Sequence, residues 1–460
     1  MNSSSNNDDG AADAAIRARV GRAGAIGNFI EFFDFTLYGF FAVTIAALFF
    51  PKFDSVAGLL STFALFGVAF FIRPLGAIAF GHIGDNIGRK RALLVAVILM
   101  SASTAAIGLL PTYEGAGVLA PLLLLVCRLV QGFSAGGEQT GAFVLIVEHS
   151  PVGERGRNAA KLIRSVVAGV GFAALLTLLM NLATTAEQMQ SWGWRVPFLI
   201  AAPLGMFGMY LRMNIEDSQV FQSASRLVRQ SERRHHAPLA RAFRTVRKEM
   251  LVLFGWVAMQ SLAGYILVGF MLSHLVKAEG YSMQTALTIL IVAHLAAALA
   301  VPAVGRWCDS VGRSRFAASL AIGLVVWSIP AFYLLGQGAV AATAAMCVYA
   351  IIQYATMIVS ATAVVELFPV DVRYSASALP FQLGYAVFGG SAPFLATWLV
   401  ANFSNLAPAY YIVVVSAFAA VLAIAAIPKA REMANVSNLA HGAVPEQSMV
   451  DGHSPARQKA

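Results

Sequence analysis

Gly81-His82-Ile83-Gly84-Asp85-Asn86-Ile87-Gly88-Arg89-Lys90-Arg91 and Gly305-Arg306-Trp307-Cys308-Asp309-Ser310-Val311-Gly312-Arg313-Ser314-Arg315 share Gly, Asp, Gly, Arg and Arg at one spacing, 224 positions apart. A second pair repeats at an offset of 218: Glu148-x-x-Pro151-x-x-x-Arg155 and Glu366-x-x-Pro369-x-x-x-Arg373. Each copy lies between long apolar runs, so the chain reads as two related membrane halves. A site between two similar halves can be opened to either side in turn, which is the architecture of a transporter.

Composition points the same way. A soluble domain carries roughly 25% charged residues; here the figure is 12%, with 58% hydrophobic residues and a mean hydropathy of +0.71. About 20 apolar residues cross the hydrocarbon core as a helix. Such stretches fall near 24–50, 58–80, 92–110, 119–147, 160–183, 195–213, 249–273, 285–304, 316–336, 339–364, 375–400 and 408–428. The expected fold is therefore an all-α membrane protein of twelve transmembrane helices in two six-helix halves. The expected domains are a cytoplasmic tail (1–21), an N-terminal half (22–213), a basic cytoplasmic linker (214–248), a C-terminal half (249–428) and a disordered cytoplasmic tail (429–460).

Orientation follows from Lys and Arg. With both termini in the cytoplasm, only Lys52, Arg195 and Lys277 fall on the outer side, and Arg73 and Arg128 fall within spans. The other 27 of the 32 basic residues are then inside, as expected for a multi-pass protein of a cell inner membrane. The net charge of +9 is dispersed among these loops, so no nucleic-acid partner is implied. Cys127, Cys308 and Cys347 suggest no disulfide framework. Residues 1–16 hold three Asp and no Lys or Arg, which does not fit a cleavable signal peptide.

Ionisable side chains within a span cost roughly 2.5–3.5 kcal/mol each on insertion scales, so each needs a reason. Asn28, Glu31, Asp34 and Tyr38 share one face of the first helix. At 1.5 Å per residue, Glu31 lies ~10 Å deep, Asp34 ~15 Å and Arg73 of the second helix ~12 Å, so Arg73 and Glu31 can pair. In the fourth span Arg128, Gln131, Ala135 and Glu138 share a face, with Gly132, Gly136 and Gly137 beside them for close helix approach. Carboxyl groups held between burial and a nearby arginine can exchange protons as water access changes; Glu31, Asp34 and Glu138 are the candidates. The C-terminal half offers a lone His294 and uncharged polar or aromatic groups: Trp256, Gln260, Tyr265, Tyr349, Gln353, Thr356, Ser360, Gln382 and Tyr385. Helix packing accounts for such stripes as well as ligand contact does.

The repeated loops resemble the signature of the major facilitator superfamily. Gly27-Asn28-Phe29-Ile30-Glu31-Phe32-Phe33-Asp34-Phe35, Arg73-Pro74-Leu75-Gly76, Arg128-x-x-Gln131-Gly132-x-x-x-Gly136-Gly137-Glu138 and Trp192-Gly193-Trp194-Arg195-Val196-Pro197-Phe198 resemble its metabolite:H+ symporter family. Arg373-Tyr374-Ser375 and Phe388-Gly389-Gly390-Ser391-Ala392-Pro393 continue the likeness over about residues 22–428. Gln131-Gly132-Phe133-Ser134 and Met271-Leu272-Ser273-His274 are similar to the proline/betaine branch. Lys161 and Arg164, opening the fifth span, suit an anion instead, and the tail after Pro428 lacks the heptads of the long coiled coil of osmosensing members.

The resemblance implies proton-coupled uptake of a small carboxylate-bearing metabolite, either an organic acid or a zwitterion such as proline or betaine. Arg128 and Gln131 would hold the carboxylate. Tyr38, Trp256, Gln260, Tyr349, Gln353, Gln382 and Tyr385 would line the site, with Tyr38, Trp256 and Tyr385 able to face an apolar or cationic part. Gating would involve Arg73, Gly81, Asp85, Gly88, Arg89, Gly305, Asp309, Gly312 and Arg313, together with Glu148, Arg155, Glu366 and Arg373. In such transporters the loop aspartate, here Asp85, caps a helix of the opposite half, and Asp309 has the matching position. The implied partners are the solute, H+ and the lipid bilayer, with a monomeric functional unit and no cofactor beyond the proton gradient. A proton-driven exporter and a non-transporting solute sensor remain alternatives. An enzyme is not expected: we find no phosphate-binding Gly-x-x-x-x-Gly-Lys-Ser/Thr loop, no metal-spaced His/Cys set and no nucleophile elbow.

Overall fold

A computed structural model describes residues 24–427 apart from 52–54, 88, 137–142, 144, 145, 148, 149, 217–244 and 370–372. Among the described residues every regular element is helical. The N-terminal half holds α1 (Gly24–Phe40, continued at a 57° bend by Ala42–Phe49), α2 (Ser55–Phe80), α3 (Arg89–Ile107), α4 (Leu119–Ser134), α5 (Arg155–Ala183) and α6 (Arg195–Glu216). The C-terminal half holds α7 (Arg247–Lys277), α8 (Met283–Val311), α9 (Arg313–Leu335), α10 (Ala339–Glu366), α11 (Ala376–Asn402) and α12 (Ala407–Ala425). These match the twelve expected spans. α4, expected to reach 147, is helical to Ser134, turns at Ala135 and Gly136, and is helical again at Phe143, Ile146 and Val147, with the residues between them outside the described ones. Glu138, Glu148, Gly88 and nearly all of the linker 214–248 lie outside the described residues, as do the side chains of Asp85 and Arg89.

Alternating spans give the bundle a terminal face, where α1 begins and α12 ends, and an opposite far face. The far-face turns are tied by backbone carbonyls: Arg195 Nη1 donates to Gly108 O at 2.9 Å and Leu110 O at 2.7 Å, and Tyr281 Oη donates to Leu335 O at 2.6 Å. Ser282 caps α8, its Oγ accepting from Thr285 N.

Burial separates inner from outer helices. α7 and α10 are enclosed over most of their length, whereas α5, α8, α9 and α12 turn more of their surface outward. Among the described residues, the halves meet most extensively where α5 runs along α8 and α2 along α11, with α5 also touching α10. Both seams run through glycines. A Cβ on Gly67 would meet the Gly390 carbonyl oxygen at 2.8 Å, and one on Gly305 would meet the Gly156 carbonyl oxygen at 2.9 Å. A third close approach, Gly39 of α1 to the Val268 carbonyl of α7, closes the far half of the bundle. α7 and α11 each contain one π-helical segment, Ile266–Phe270 and Tyr385–Gly389, next to the bundle centre.

Candidate functional site

The charged residues of the N-terminal half converge where α1, α2 and α4 meet. Arg73 pairs with Glu31 at 3.4 Å, as their depths predict, and its guanidinium lies 4.3 Å from the Phe35 ring centroid and 4.6 Å from that of Phe70. Arg128 is completely buried. Its Nη1 donates to Gln131 Oε1 at 2.5 Å and its Nη2 to Phe66 O at 3.2 Å. Phe35, Tyr38 and Phe66 surround its guanidinium, at 4.7, 4.3 and 5.2 Å. Gln131 Nε2 in turn reaches Thr104 Oγ1 at 2.8 Å and the Asp34 carbonyl at 3.4 Å. Among the described residues, no carboxylate pairs with Arg128.

Asp34 is also completely buried, and its carboxyl oxygens lack a hydrogen bond of good geometry; Thr104 and Glu31 are its polar neighbours. Among the described residues, the centre thus contains a cation without an anion and a carboxyl without a cation. Each would cost several kcal/mol if left charged and unpaired in this surrounding.

The C-terminal half supplies uncharged groups opposite. Gln260 Nε2 donates to Tyr385 Oη at 3.0 Å and its Oε1 accepts from Ser360 Oγ at 3.1 Å. Gln353 Nε2 donates to the Gln260 carbonyl at 3.2 Å, and Thr356 Oγ1 donates to Gln353. A cavity of about 20 Å³, enough for one water molecule, lies between Phe32 of α1 and Gln260, Tyr265, Gln353, Tyr354 and Tyr385. Tyr265 bridges to the N-terminal half, with ring centroids 4.6 Å from Phe70 and 5.8 Å from both Phe66 and Tyr385.

Several expected lining residues do not border this small cavity and make other contacts. The Tyr38 ring already faces Arg128, and its hydroxyl donates to Thr62 O at 3.0 Å. Trp256 Nε1 donates to Thr356 O and Tyr349 Oη to Ala263 O; both are interhelical ties outside the cavity. Gln382 is buried away from the lining, with its Oε1 unpartnered. Lys161 and Arg164 are exposed on α5, and Lys161 binds Asn158 at 2.8 Å. These cations therefore give no support for an anionic solute at the centre. Sequence reasoning missed Phe32, Ser261, Gly264, Tyr354 and Met357 in the lining, because apolar and small residues carry no charge signal. Gly132-Phe133-Ser134-Ala135-Gly136 has the letters of a nucleophile motif, but it lies on α4 and its turn, and Ser134 Oγ donates to Val130 and Gln131 carbonyls.

At the terminal face the second loop copy forms a latch across the seam. The Asp309 carboxylate accepts the backbone N–H of Gly156 and of Arg157, each at 2.8 Å, at the start of α5. Arg313 Nη1 binds Asp309 at 2.8 Å, and its Nε binds both Glu366 oxygens at 3.1 and 3.3 Å. Arg155 of the other half reaches Glu366 at 3.7 Å. The segment Arg373–Gly384, which leads into α11, packs on the segment Arg73–Ile87, whose end carries part of the first copy.

On the far face, Glu279 sits in the α7–α8 turn, 3.3 Å from His274 Nε2 and 3.1 Å from Asn405 Nδ2. The hydrogen bond from His274 is the largest influence on its carboxyl and, with the imidazole's charge and Asn405, holds it below the usual range against partial burial.

Comparison with known proteins agrees with this architecture. Residues 24–387 match the model of the Major Facilitator Superfamily. A proline/betaine transporter of Escherichia coli (strain K12) is 35% identical over 412 residues, covering 88% of this chain and 82% of its own. The glycine betaine/proline/ectoine/pipecolic acid transporter OusA of Dickeya dadantii is 34% identical, with the same coverage. Among solved structures, a D-xylose-proton symporter superposes with a TM-score of 0.70 at 17% identity, covering 90% of this chain and 98% of its own. These relatives are transporters and not enzymes. The chain belongs to the Major Facilitator Superfamily, in the group that contains these proline/betaine transporters.

Proposed function

We propose that this transporter takes up a small zwitterionic carboxylate, of the proline or betaine type, together with H+. The observation that carries this reading is the buried pair of opposite lacks: Arg128 has no carboxylate partner among the described residues, and Asp34 has no cation. A solute carboxylate supplies the anion for Arg128, with Gln131 completing the contact through its amide. A proton on Asp34 removes the charge that burial penalises. Each species makes the loaded, closed state cheaper, so coupling follows if neither alone suffices. Glu31 and Glu138 are the further proton candidates. The tyrosines Tyr265 and Tyr385 and the amides Gln260 and Gln353 would meet the rest of the solute, with ring faces suited to a cationic nitrogen. The names of the relatives, transporters of proline, betaine and ectoine, support the zwitterion over a di- or tricarboxylate.

The positive-inside rule makes the terminal face cytoplasmic, with both termini inside the inner membrane. Residues 22–213 and 249–428 would rock as two units joined by 214–248, a monomer sufficing for transport. The Asp309–Arg313–Glu366–Arg155 latch would hold the cytoplasmic side shut, and Gly39 and Gly67 would seat the opposite closure. A central cavity of about 20 Å³ is too small for proline, so loading requires one of these closures to open. The test is uptake by proteoliposomes under an imposed inward pH gradient, offering proline, glycine betaine, citrate, 2-oxoglutarate, shikimate and benzoate. Accumulation of a zwitterion that a protonophore abolishes supports the reading; accumulation of citrate alone, or outward movement, overturns it.

A further inference from the structure

A second cavity, about 470 Å³ and far larger than the central one, opens at the far face between the halves. Val43 and Ala46 of α1 and Leu59 of α2 wall it on one side; His274 and Lys277 of α7 and Asn405 beyond α11 wall it on the other. None of these residues belongs to the Arg128 centre. Most of the wall is apolar, and its cationic groups stand together on one side.

His274 is 2% exposed and wedged between Phe270 and Phe332, with ring centroids 5.0 and 5.6 Å away. Both ring nitrogens are buried without a hydrogen bond of good geometry; Nε2 stands 3.3 Å from Glu279, and Nδ1 has no charged neighbour of its own. Glu279 therefore stands at one nitrogen and leaves Nδ1 for a group inside the cavity. Lys277, exposed three residues on, lies about one helical turn along the same wall.

We propose that this cavity is a second solute site, taking a carboxylate with an apolar body between Lys277 and the doubly protonated imidazole of His274. The apolar wall receives the body, and Glu279 balances the imidazolium from its other nitrogen. Neutral His274, donating from Nε2 to Glu279, presents only a lone pair at Nδ1 and repels a carboxylate. Binding should therefore strengthen as pH falls. The described charged groups facing His274 are Glu279 from the α7–α8 turn and Lys277 on its own helix; Phe332 of α9 and Asn405 are neutral. The proposal is independent of the assignment of Arg128, and its test keeps the two apart.

The experiment measures binding of radiolabelled benzoate to the full chain in phosphatidylcholine nanodiscs, with benzamide as the neutral control. In an Arg128→Met background, benzoate should bind one site, and more tightly at pH 5.5 than at pH 8. Lys277→Met, or Ala46→Trp to fill the cavity, should abolish that binding; His274→Gln should remove its pH dependence. Should Arg128→Met not fold, Lys277→Met alone should lower the bound equivalents of the otherwise native protein by one. Binding that survives both Lys277→Met and Ala46→Trp, or equal competition by benzamide, overturns the proposal. So does loss of benzoate binding only when phosphatidylglycerol is added, which would assign the cavity to a lipid headgroup.

Discussion

Asp309 and Gly156 lie in different halves of the chain, yet the carboxylate of the first accepts the backbone N–H of the second at 2.8 Å. The neighbouring N–H of Arg157 binds the other oxygen at the same distance. One side chain thus caps a helix it does not belong to, and the cap exists only while the halves meet at this face. A carboxylate at a helix start is worth about 0.3–1 kcal/mol when exposed and up to ~2 kcal/mol when partly buried.

Asp309→Asn should therefore shift the protein toward opening at this face by roughly tenfold, the equivalent of about 1.4 kcal/mol. Cys308 reports it, because its side chain is completely buried in the latch. With Cys127 and Cys347 replaced by Ser, maleimide labelling of Cys308 should accelerate by that factor. Unchanged labelling would show that the cap carries no gating energy.

Glu366 receives both Arg313 and Arg155 and is almost fully buried. Glu366→Gln removes the anion that Arg155 and Arg313 share and leaves Arg313 with Asp309, and breaking a buried pair in this way costs about 3–5 kcal/mol. A clear drop in the thermal midpoint of the purified protein is expected. The double change Arg313→Met with Glu366→Leu should recover part of the loss, because it removes one cation and one anion together and leaves Arg155 and Asp309 with opposite charges. A Glu366→Gln midpoint equal to the native one would contradict the account of the latch.

Arg128→Lys preserves the charge and loses the planar fork that reaches Gln131 and Phe66 while lying against three rings. Solute affinity should fall by about 100-fold, the equivalent of ~2.7 kcal/mol, with the protein still monodisperse. Calorimetric titration of the solute that proves to be transported measures this directly; a native affinity would remove Arg128 from the site.

The Glu279 carboxyl is held below its ordinary range chiefly by the hydrogen bond from His274. A depressed folded value stabilises the protein above the unfolded value, about 4.3 for glutamate, and this contribution fades as pH falls through the folded value. Glu279→Gln should lower the thermal midpoint at pH 6, and the difference should close as the pH is taken below about 4. A gap that widens on acidification would reverse the assigned sign.

Much of this was legible in the sequence. The two loop copies announced the repeat, the apolar runs gave the twelve spans, and helix rise alone put Arg73 level with Glu31. The position of Asp309, matched to Asp85 by the repeat, is where the cross-seam cap forms. What the sequence does not display is which side of a helix faces which neighbour once the halves dock. Lys161 and Arg164 look like solute ligands by position, yet α5 turns them outward. Tyr38 looks like a solute-facing ring, yet Arg128 occupies its face from another helix. The His274–Glu279 pair spans a helix end, where no periodicity signals it, and the π-helical segments beside Tyr265 and Tyr385 depend on packing.

The central claim is that solute and proton enter together through the Asp34–Arg128 centre. The most direct measurement adds the accumulated zwitterion to de-energised proteoliposomes and records external pH. The account predicts alkalinisation on solute addition by the native protein. Asp34→Asn should show none, while still exchanging labelled for unlabelled solute across the membrane. Solute-evoked alkalinisation that persists unchanged in Asp34→Asn would contradict it.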